Sequence, residues 1–485
     1  MRLCLTGHAE RYALEQLQMA LFPDEPMEFC AKPFDGDGAF SILRREDDCL
    51  IGEARIRRKG REAFGTRRMP AEDETVPLRR RLLQQSYYLA AIQLLDSKPA
   101  WGALAGVRPT KLTTRALLAG SSEAQCDEML REVYFVSPER RRLCLDASRA
   151  SVEASRLLDH NDLSLYVGIP FCPSRCAYCS FVSQSAEREG ALIQPFFDAL
   201  LREVEQTGQL LGETPFRVRT VYIGGGTPTT LSADQLERLL DAISSHFDLS
   251  RVLEYTVEAG RPDTVDAARL SALKRGGVTR VSVNPQTMRD DVLVRIGRRH
   301  TAQDTRNAFH LARDAGFDDI NMDLIAGLPG DSPEGFAYSL EQCLRLRPSN
   351  LTVHTLSRKR GSGFNAERQE SLPAAAVEQM LRSGEQALRG AGYAPYYLYR
   401  QKYMSGSFEN VGWQTGGTPC LYNICMMEEL HTILSLGGGG MSKLVWPDGS
   451  LLRQHNPKYP REYLSHFDDF MKNRRDFIAA LRKSG

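Results

Sequence analysis

Tyr166-Val-Gly-Ile-Pro-Phe-Cys172-Pro-Ser-Arg-Cys176-Ala-Tyr178-Cys179-Ser-Phe181 decides the reading of the chain. It places three cysteines at Cys-x3-Cys-x2-Cys spacing where an apolar strand ends. Thiolates are soft ligands that hold iron–sulfur clusters, and a [4Fe–4S] cube normally takes four of them. Three in one tight loop leave one iron without a protein ligand, open to a small molecule. That arrangement points to chemistry rather than to simple electron carriage. A structural zinc site would instead want a closed set of four ligands, and the nearest histidines, His160 and His246, stand outside the loop. The remaining cysteines, Cys4, Cys30, Cys49, Cys126, Cys144, Cys343, Cys420 and Cys425, are scattered without a disulfide framework and read as buried apolar thiols.

At 485 residues the chain is long enough for two or three domains. A net charge of +1 marks neither a general nucleic-acid binder nor a membrane-surface binder. The start, Met1-Arg-Leu-Cys-Leu-Thr-Gly-His8, lacks the apolar centre of a signal peptide, and no run of 18 apolar residues occurs. The expectation is a cytoplasmic protein with no membrane insertion, whose unpaired cysteines suit a reducing interior.

From residue 160 to 368 a rhythm of short apolar strand, loop and amphipathic helix repeats. Strands are expected at Leu165–Phe171, Thr220–Ile223, Glu254–Glu258, Arg280–Asn284, Asp319–Ile325 and Leu351–Thr355, with helices such as Ser232–Phe247 and Thr264–Lys274 between them. Ser232 and Gln235 form a capping-box pattern. Six βα units imply an α/β fold on a parallel sheet with right-handed crossovers, short of the eight that close a full barrel. Residues 1–155 read as a separate α+β domain. It holds a hairpin of Cys49–Arg57 and Ala63–Met69 around Lys59-Gly60-Arg61, then helical stretches at 75–97 and 113–158. The basic run Arg55–Arg68 reads as a solvated hairpin surface or as a site for an anionic partner. Residues 369–485 read as a C-terminal α/β extension capping the active site, mixing aromatic, basic and glycine-rich segments.

Gly224-Gly225-Gly226-Thr227-Pro228 follows the second strand, where glycines let backbone approach a ligand closely. Four further polar residues stand at or beyond strand carboxyl ends, where parallel sheets place ligand sites: Glu258, Gln286, Arg298 and Asp323.

Taken together, Cys172-x3-Cys176-x-Tyr178-Cys179 resembles the signature of the radical S-adenosylmethionine (SAM) superfamily. The six βα units resemble its open (β/α)6 partial barrel. The resemblance implies a [4Fe–4S] cluster on Cys172, Cys176 and Cys179, and SAM held on the open iron. Gly225, Gly226 and Thr227 resemble the superfamily's GGTP motif, which contacts SAM's methionine end. "IGRRHT", "DLIAGLPG" and the cysteine loop narrow the resemblance to the oxygen-independent coproporphyrinogen III oxidase family. There Tyr166, Glu258, Gln286, Arg298 and Asp323 match positions that contact SAM. "WGALAGVRPTKL", "VHTLSRKRGS" and "FENVGW…LYNICMMEELHTILSLGGGGMSK" are similar to the HemZ-type coproporphyrinogen dehydrogenases of that family.

The family's reaction converts two propionates of coproporphyrinogen III to vinyl groups, giving protoporphyrinogen IX in haem biosynthesis, with an electron donor such as flavodoxin or ferredoxin. Arg358, Lys359, Arg360, Arg400, Lys402 and Lys443 are the candidate cations for an anionic substrate. The chain departs from the oxidase pattern at Phe181, where a fourth cysteine stands, and at Gly168, where a histidine stands. Haem-chaperone relatives also lack the fourth cysteine. The alternative is therefore a haem carrier without decarboxylase activity, with His455, His431 or Cys425 as axial ligand.

Overall fold

The computed structural model describes residues 1–22, 25, 27–106, 108–179, 183–357, 372–400 and 408–483. They form two compact units, one built on Met1–Asp146 and one on Ala147–Tyr399 with Phe408–Gly485.

In the first unit the sheet order is Glu28–Cys30, Arg2–Thr6, Gly38–Glu46, Cys49–Arg58 and Arg61–Pro70. Arg2–Thr6 pairs in parallel with both neighbours, and the remaining pairs are antiparallel. The expected hairpin is present, and Lys59 (φ 51°) and Gly60 (φ 73°) supply the two left-handed residues that a two-residue turn of matching twist needs. Leu14 and Leu17 of the helix Arg11–Leu21 meet Leu83, Tyr87 and Tyr88 of the helix Val76–Ala91 in one core with Leu3 and Ile56.

The basic run is locally paired: Arg57 donates to Glu62, Arg58 to Glu25 at 2.6 Å, and Arg55 lies over the Phe40 ring. The two expected helical stretches need correction. The first ends at Ala91, and 113–158 is broken into Pro109–Leu118, Glu123–Glu128, the wide turn Met129–Val133, and Pro138–Ser155. Gly120 takes φ 96° after the first piece, and Ser122 with Gln125 caps a new start. Pro138 opens the last piece because its ring suits a helix beginning and not its middle.

The second unit carries the six expected parallel strands, in sequence order across the sheet: Asp162–Ile169, Arg217–Gly225, Glu254–Val257, Arg280–Ser282, Asp319–Ala326 and Asn350–Thr355. Between them run amphipathic helices such as Ala233–His246. Its buried Leu236, Leu239, Leu240 and Ile243 recur at helical spacing, and Ser232 and Gln235 cap it reciprocally.

C-terminal strands continue this sheet at both edges. Thr432–Gly437 pairs in parallel with the first strand, setting Ser435 opposite Tyr166 and Gly437 opposite Gly168. Glu409–Gln414 runs antiparallel beside the sixth. Among the described residues the sheet has 11 strands, ending at Ala394–Arg400 on one side and Leu451–His455 on the other.

Alternation along the first strand divides apolar Leu163, Leu165 and Val167 from Ser164, Tyr166 and Gly168. The polar set meets the short helix Leu421–Glu428. The Glu254 carboxylate accepts from the Leu421 N–H at 2.7 Å and the Tyr422 N–H at 3.3 Å, completing the donors that a helix start leaves open. Arg280 donates to the carbonyls of Thr418 (3.1 Å) and Pro419 (3.4 Å), so the helix is anchored from two neighbouring strands. Tyr422 then stacks on Tyr222 at 4.3 Å and faces Tyr166 at 6.0 Å.

Candidate functional site

The cysteine loop is pinned from three sides. The Ala177 N–H donates to the Ile296 carbonyl at 3.0 Å, and the Gln184 N–H to that of Pro170 at 2.8 Å. Tyr178 packs on Val292, Leu293, Ile296, Ile325 and Leu328, and its hydroxyl accepts from Arg298 Nη2 at 2.8 Å. Burial pushes the Tyr178 phenol up, so it remains a neutral hydroxyl. Cys172 and Cys179 are half-buried and Cys176 is 8% exposed. Thr227 Oγ1 donates to Cys172 Sγ at 3.5 Å, and Arg261 Nη1 to Cys176 Sγ at the same distance.

The glycine loop lies directly against this segment. The Gly226 N–H donates to the Ile169 carbonyl at 2.8 Å and the Thr227 N–H to that of Phe171 at 2.7 Å. Gly225 adopts φ 107°, and a methyl there would meet the Ile169 carbonyl at 3.2 Å and the Tyr166 hydroxyl at 3.4 Å, so only glycine fits without strain.

Glu258 joins the loop to the strand behind it. It accepts from the Tyr222 hydroxyl at 2.5 Å and from the Gly225 N–H at 3.2 Å. Burial and then the charge of Asp323 push this carboxyl up from 4.5 to about 7, against those hydrogen bonds. Burial would raise Asp323 as well, but a hydrogen bond and the charge of His354, with Asn321 and Thr352, hold it below the usual range. His354 Nε2 stands 3.6 Å from Asp323, and Asn321 Nδ2 donates to it at 2.8 Å.

A stability consequence follows from the raised carboxyl. The folded protein holds the Glu258 proton more tightly than the unfolded chain does. Its contribution is therefore present below about pH 4.5 and lost as the pH rises through 7. Cofactor-free Glu258→Gln is expected to lose less melting temperature than wild type between pH 5 and 8. Identical slopes would show that the native carboxyl ionises freely.

Gln286 sits in the left-handed region at φ 68° and is buried. Its N–H donates to the Asp323 carbonyl and its carbonyl accepts from Ile325, both at 2.9 Å, so flanking strand bonds hold a conformation that a non-glycine residue disfavours. Tyr166, Gly225, Glu258, Gln286 and Asp323 thus occupy the carboxyl rim. Arg298 joins the cysteine loop to the loops that carry Glu258 and Gln286, donating to Tyr178 at 2.8 Å and to the carbonyls of Gly260 (3.3 Å) and Asn284 (3.4 Å).

Of the candidate substrate cations, Arg358, Lys359, Arg360 and Lys402 lie outside the described residues. Arg400 is buried, and Lys443 is 1% exposed against Glu429 and the Met426 sulfur. Neither offers an open charge at the rim, which corrects the expectation for these two.

Among the candidate haem ligands, Cys425 is fully buried. His431 is bonded to Ser164 at 2.7 Å, and burial, then the charge of Arg219, pulls its imidazole down to about 3. His455 is exposed on the edge strand. Sequence reasoning passed over Tyr222, His354 and Arg261. Tyr222 was accessible, because it stands opposite Tyr166 in register on the neighbouring strand.

Residues 166–343 match the model of the radical SAM superfamily. The chain is 38% identical over 389 residues to the oxygen-independent coproporphyrinogen-III oxidase-like protein HemZ of Bacillus subtilis, covering 79% of this chain and 77% of that one. It is 32% identical over 305 residues to the heme chaperone HemW of Haemophilus influenzae, covering 62% and 76%. Its fold resembles coproporphyrinogen III oxidase HemN of Escherichia coli, a radical SAM enzyme, with a TM-score of 0.53 at 22% identity over 65% of this chain and 71% of that one.

The chain belongs to the radical SAM superfamily and, within it, to the family of oxygen-independent coproporphyrinogen-III oxidase-like proteins. Its cofactors are accordingly a [4Fe–4S] cluster and SAM. The residues fit them: three thiols in one pinned loop, hydrogen-bond donors aimed at two of the sulfurs, and a glycine loop with no room for side chains. No helix among the described residues is long and apolar enough to cross a membrane.

Proposed function

We propose that this chain carries out the oxygen-independent oxidative decarboxylation of coproporphyrinogen III to protoporphyrinogen IX. The carrying observation is the carboxyl rim, where Tyr166, Glu258, Gln286 and Asp323 gather beside the cysteine and glycine loops on a sheet floored by the helix Leu421–Glu428. Likeness to HemZ over most of both chains supports the substrate.

In this reading Cys172, Cys176 and Cys179 hold the cluster, and Gly225, Gly226 and Thr227 present backbone to SAM's methionine end. With cluster and SAM bound, the site would supply the 5′-deoxyadenosyl radical chemistry that removes a propionate β-hydrogen, after which loss of carbon dioxide would release one electron per propionate to an external one-electron acceptor. Glu258, ionised above neutral pH, offers a negative charge to SAM's ammonium group, and Asp323 is held ionised by His354. The Tyr166, Tyr222 and Tyr422 rings exclude water from the floor.

A second reading, a haem carrier, is favoured by the likeness to HemW and by Phe181 at the fourth-cysteine position. His455 is its accessible axial candidate.

The test is an anaerobic incubation of reconstituted protein with coproporphyrinogen III, SAM and a chemical reductant, beside an absorbance titration with haem. Protoporphyrinogen formation is expected. Stable haem binding with no decarboxylation would hand the function to the carrier reading.

A further inference from the structure

Behind the cysteine loop stands a guanidinium that no spacing rule points to. Arg261 follows Glu258 by three residues, in the loop after the strand Glu254–Val257. Its side chain is 3% exposed. Nε and Nη2 fork onto the two oxygens of Asp263, each at 2.8 Å. On the other side Nη1 donates to the Ser174 carbonyl at 3.3 Å and to Cys176 Sγ at 3.5 Å, while Nη2 donates to Ser174 Oγ at 3.2 Å. One planar group therefore ties the middle cysteine and the turn before it to the loop that follows Glu258. Lysine could not reproduce this, because only the fork satisfies partners on both sides at once.

The charge matters as much as the reach. Arginine stays protonated when buried, and a second buried guanidinium, Arg298, also acts electrostatically on Cys176. Among the described residues, Asp263 is the carboxylate forked onto Arg261, and Arg298 bonds to the Tyr178 hydroxyl and two carbonyls. A surplus of positive charge therefore faces a loop of thiols in a setting shielded from water, where Coulomb interactions are strongest. Such a place suits an anionic group, and most of all the state of that group with one more electron. Hydrogen bonds to cluster sulfurs and nearby cations are among the levers that set reduction potential.

We propose that Arg261 is a positioning residue for the cluster. It orients Cys176 through Ser174, and through its hydrogen bond and buried charge it favours the reduced cluster that one-electron chemistry at this site requires. The inference rests on Cys172, Cys176 and Cys179 being the cluster ligands.

The experiment is an EPR-monitored redox titration, with iron analysis, of the full-length anaerobically reconstituted protein as wild type, Arg261→Gln, Arg261→Lys and Cys176→Ala. Dithionite supplies the one electron. In Arg261→Gln a full cluster is expected to show a reduced-to-oxidised ratio at least tenfold lower at a given solution potential, a midpoint about 59 mV more negative. Arg261→Lys should recover most of that shift, because the charge remains. If Arg261→Gln fails to take up iron, retention at near wild-type potential by Arg261→Lys supports the proposal, and loss of iron by both overturns the claim on reduction potential, leaving Arg261 only the fork that holds Ser174 and Cys176. An unchanged midpoint in fully loaded Arg261→Gln also overturns it. A complete cluster in Cys176→Ala, or none in wild type, would instead bring down the ligand assignment, and the inference with it.

Discussion

Cys176→Ala, reconstituted anaerobically with iron and sulfide, is expected to lose nearly all bound cluster, while Cys425→Ala keeps it. In the proposed site each of the three loop thiolates is one of three protein ligands, so its removal would leave two irons without protein support. Cys176 is the most buried of the three and the one that accepts from Arg261. Cys425 is fully buried beside Tyr422 and Ile424 in the helix Leu421–Glu428, among apolar and aromatic side chains. Its alanine variant should cost packing alone. Iron content and the visible spectrum decide the matter, and a full complement of iron with unaltered absorption in Cys176→Ala would refute the assignment.

Arg474→Met is expected to destabilise the second unit by about 3–5 kcal/mol, the usual penalty for stripping a buried charge of its partner. Arg474 and Glu203 are both 0% exposed and meet at 3.0 Å. The guanidinium also bonds Ser442 at 2.8 Å and Asn456 at 3.2 Å, and Glu203 accepts from the Gly437 N–H at 2.7 Å and the Tyr463 hydroxyl at 2.6 Å. These contacts fasten the C-terminal helix Phe467–Arg482 and the end of the strand Thr432–Gly437 to the helix Ile193–Gly212. Burial already pushes the Glu203 carboxyl up. In the variant it can escape its isolation by taking a proton, so the loss should be smaller at pH 5 than at pH 8. The double variant Glu203→Leu/Arg474→Met should recover part of the stability, since it removes both charges together but leaves the Gly437 N–H and the Tyr463 hydroxyl without their acceptor. Urea midpoints for wild type and the two variants at the two pH values test this. A single variant as stable as wild type would mean that the pair is solvated in solution.

The cysteine loop, the six βα units, the capped helix after Ser232 and the Lys59-Gly60 hairpin were all legible in the chain. Each is a local pattern: a fixed ligand spacing, an alternation of period two, a helical stripe of period 3.6, a cap three residues from its partner. The helix breaks at Gly120 and Pro138 were legible too, and were overridden by a long run of helix-forming residues that looked continuous. Even the rim residues Glu258, Gln286 and Asp323 could be placed, because a parallel sheet delivers every strand's carboxyl end to the same edge. Their electrostatics could not be placed. Whether a carboxyl is raised, as in Glu258, or held low, as in Asp323, depends on Tyr222 and His354, which come from different strands.

The chain's own order of residues thus determined the spacing of the cysteine loop, the kind of sheet, and the edge at which the cysteine and glycine loops meet. Tertiary structure alone decided that Arg261 reaches Cys176 across 85 residues, that Glu203 pairs with Arg474 across 271, and that Thr432–Gly437 closes beside the first strand. Local patterns repeat at intervals set by backbone geometry and can be read off a string. Contacts between distant segments depend on strand order, and on which of many compatible side chains ends up nearest when the sheet twists and the helices pack.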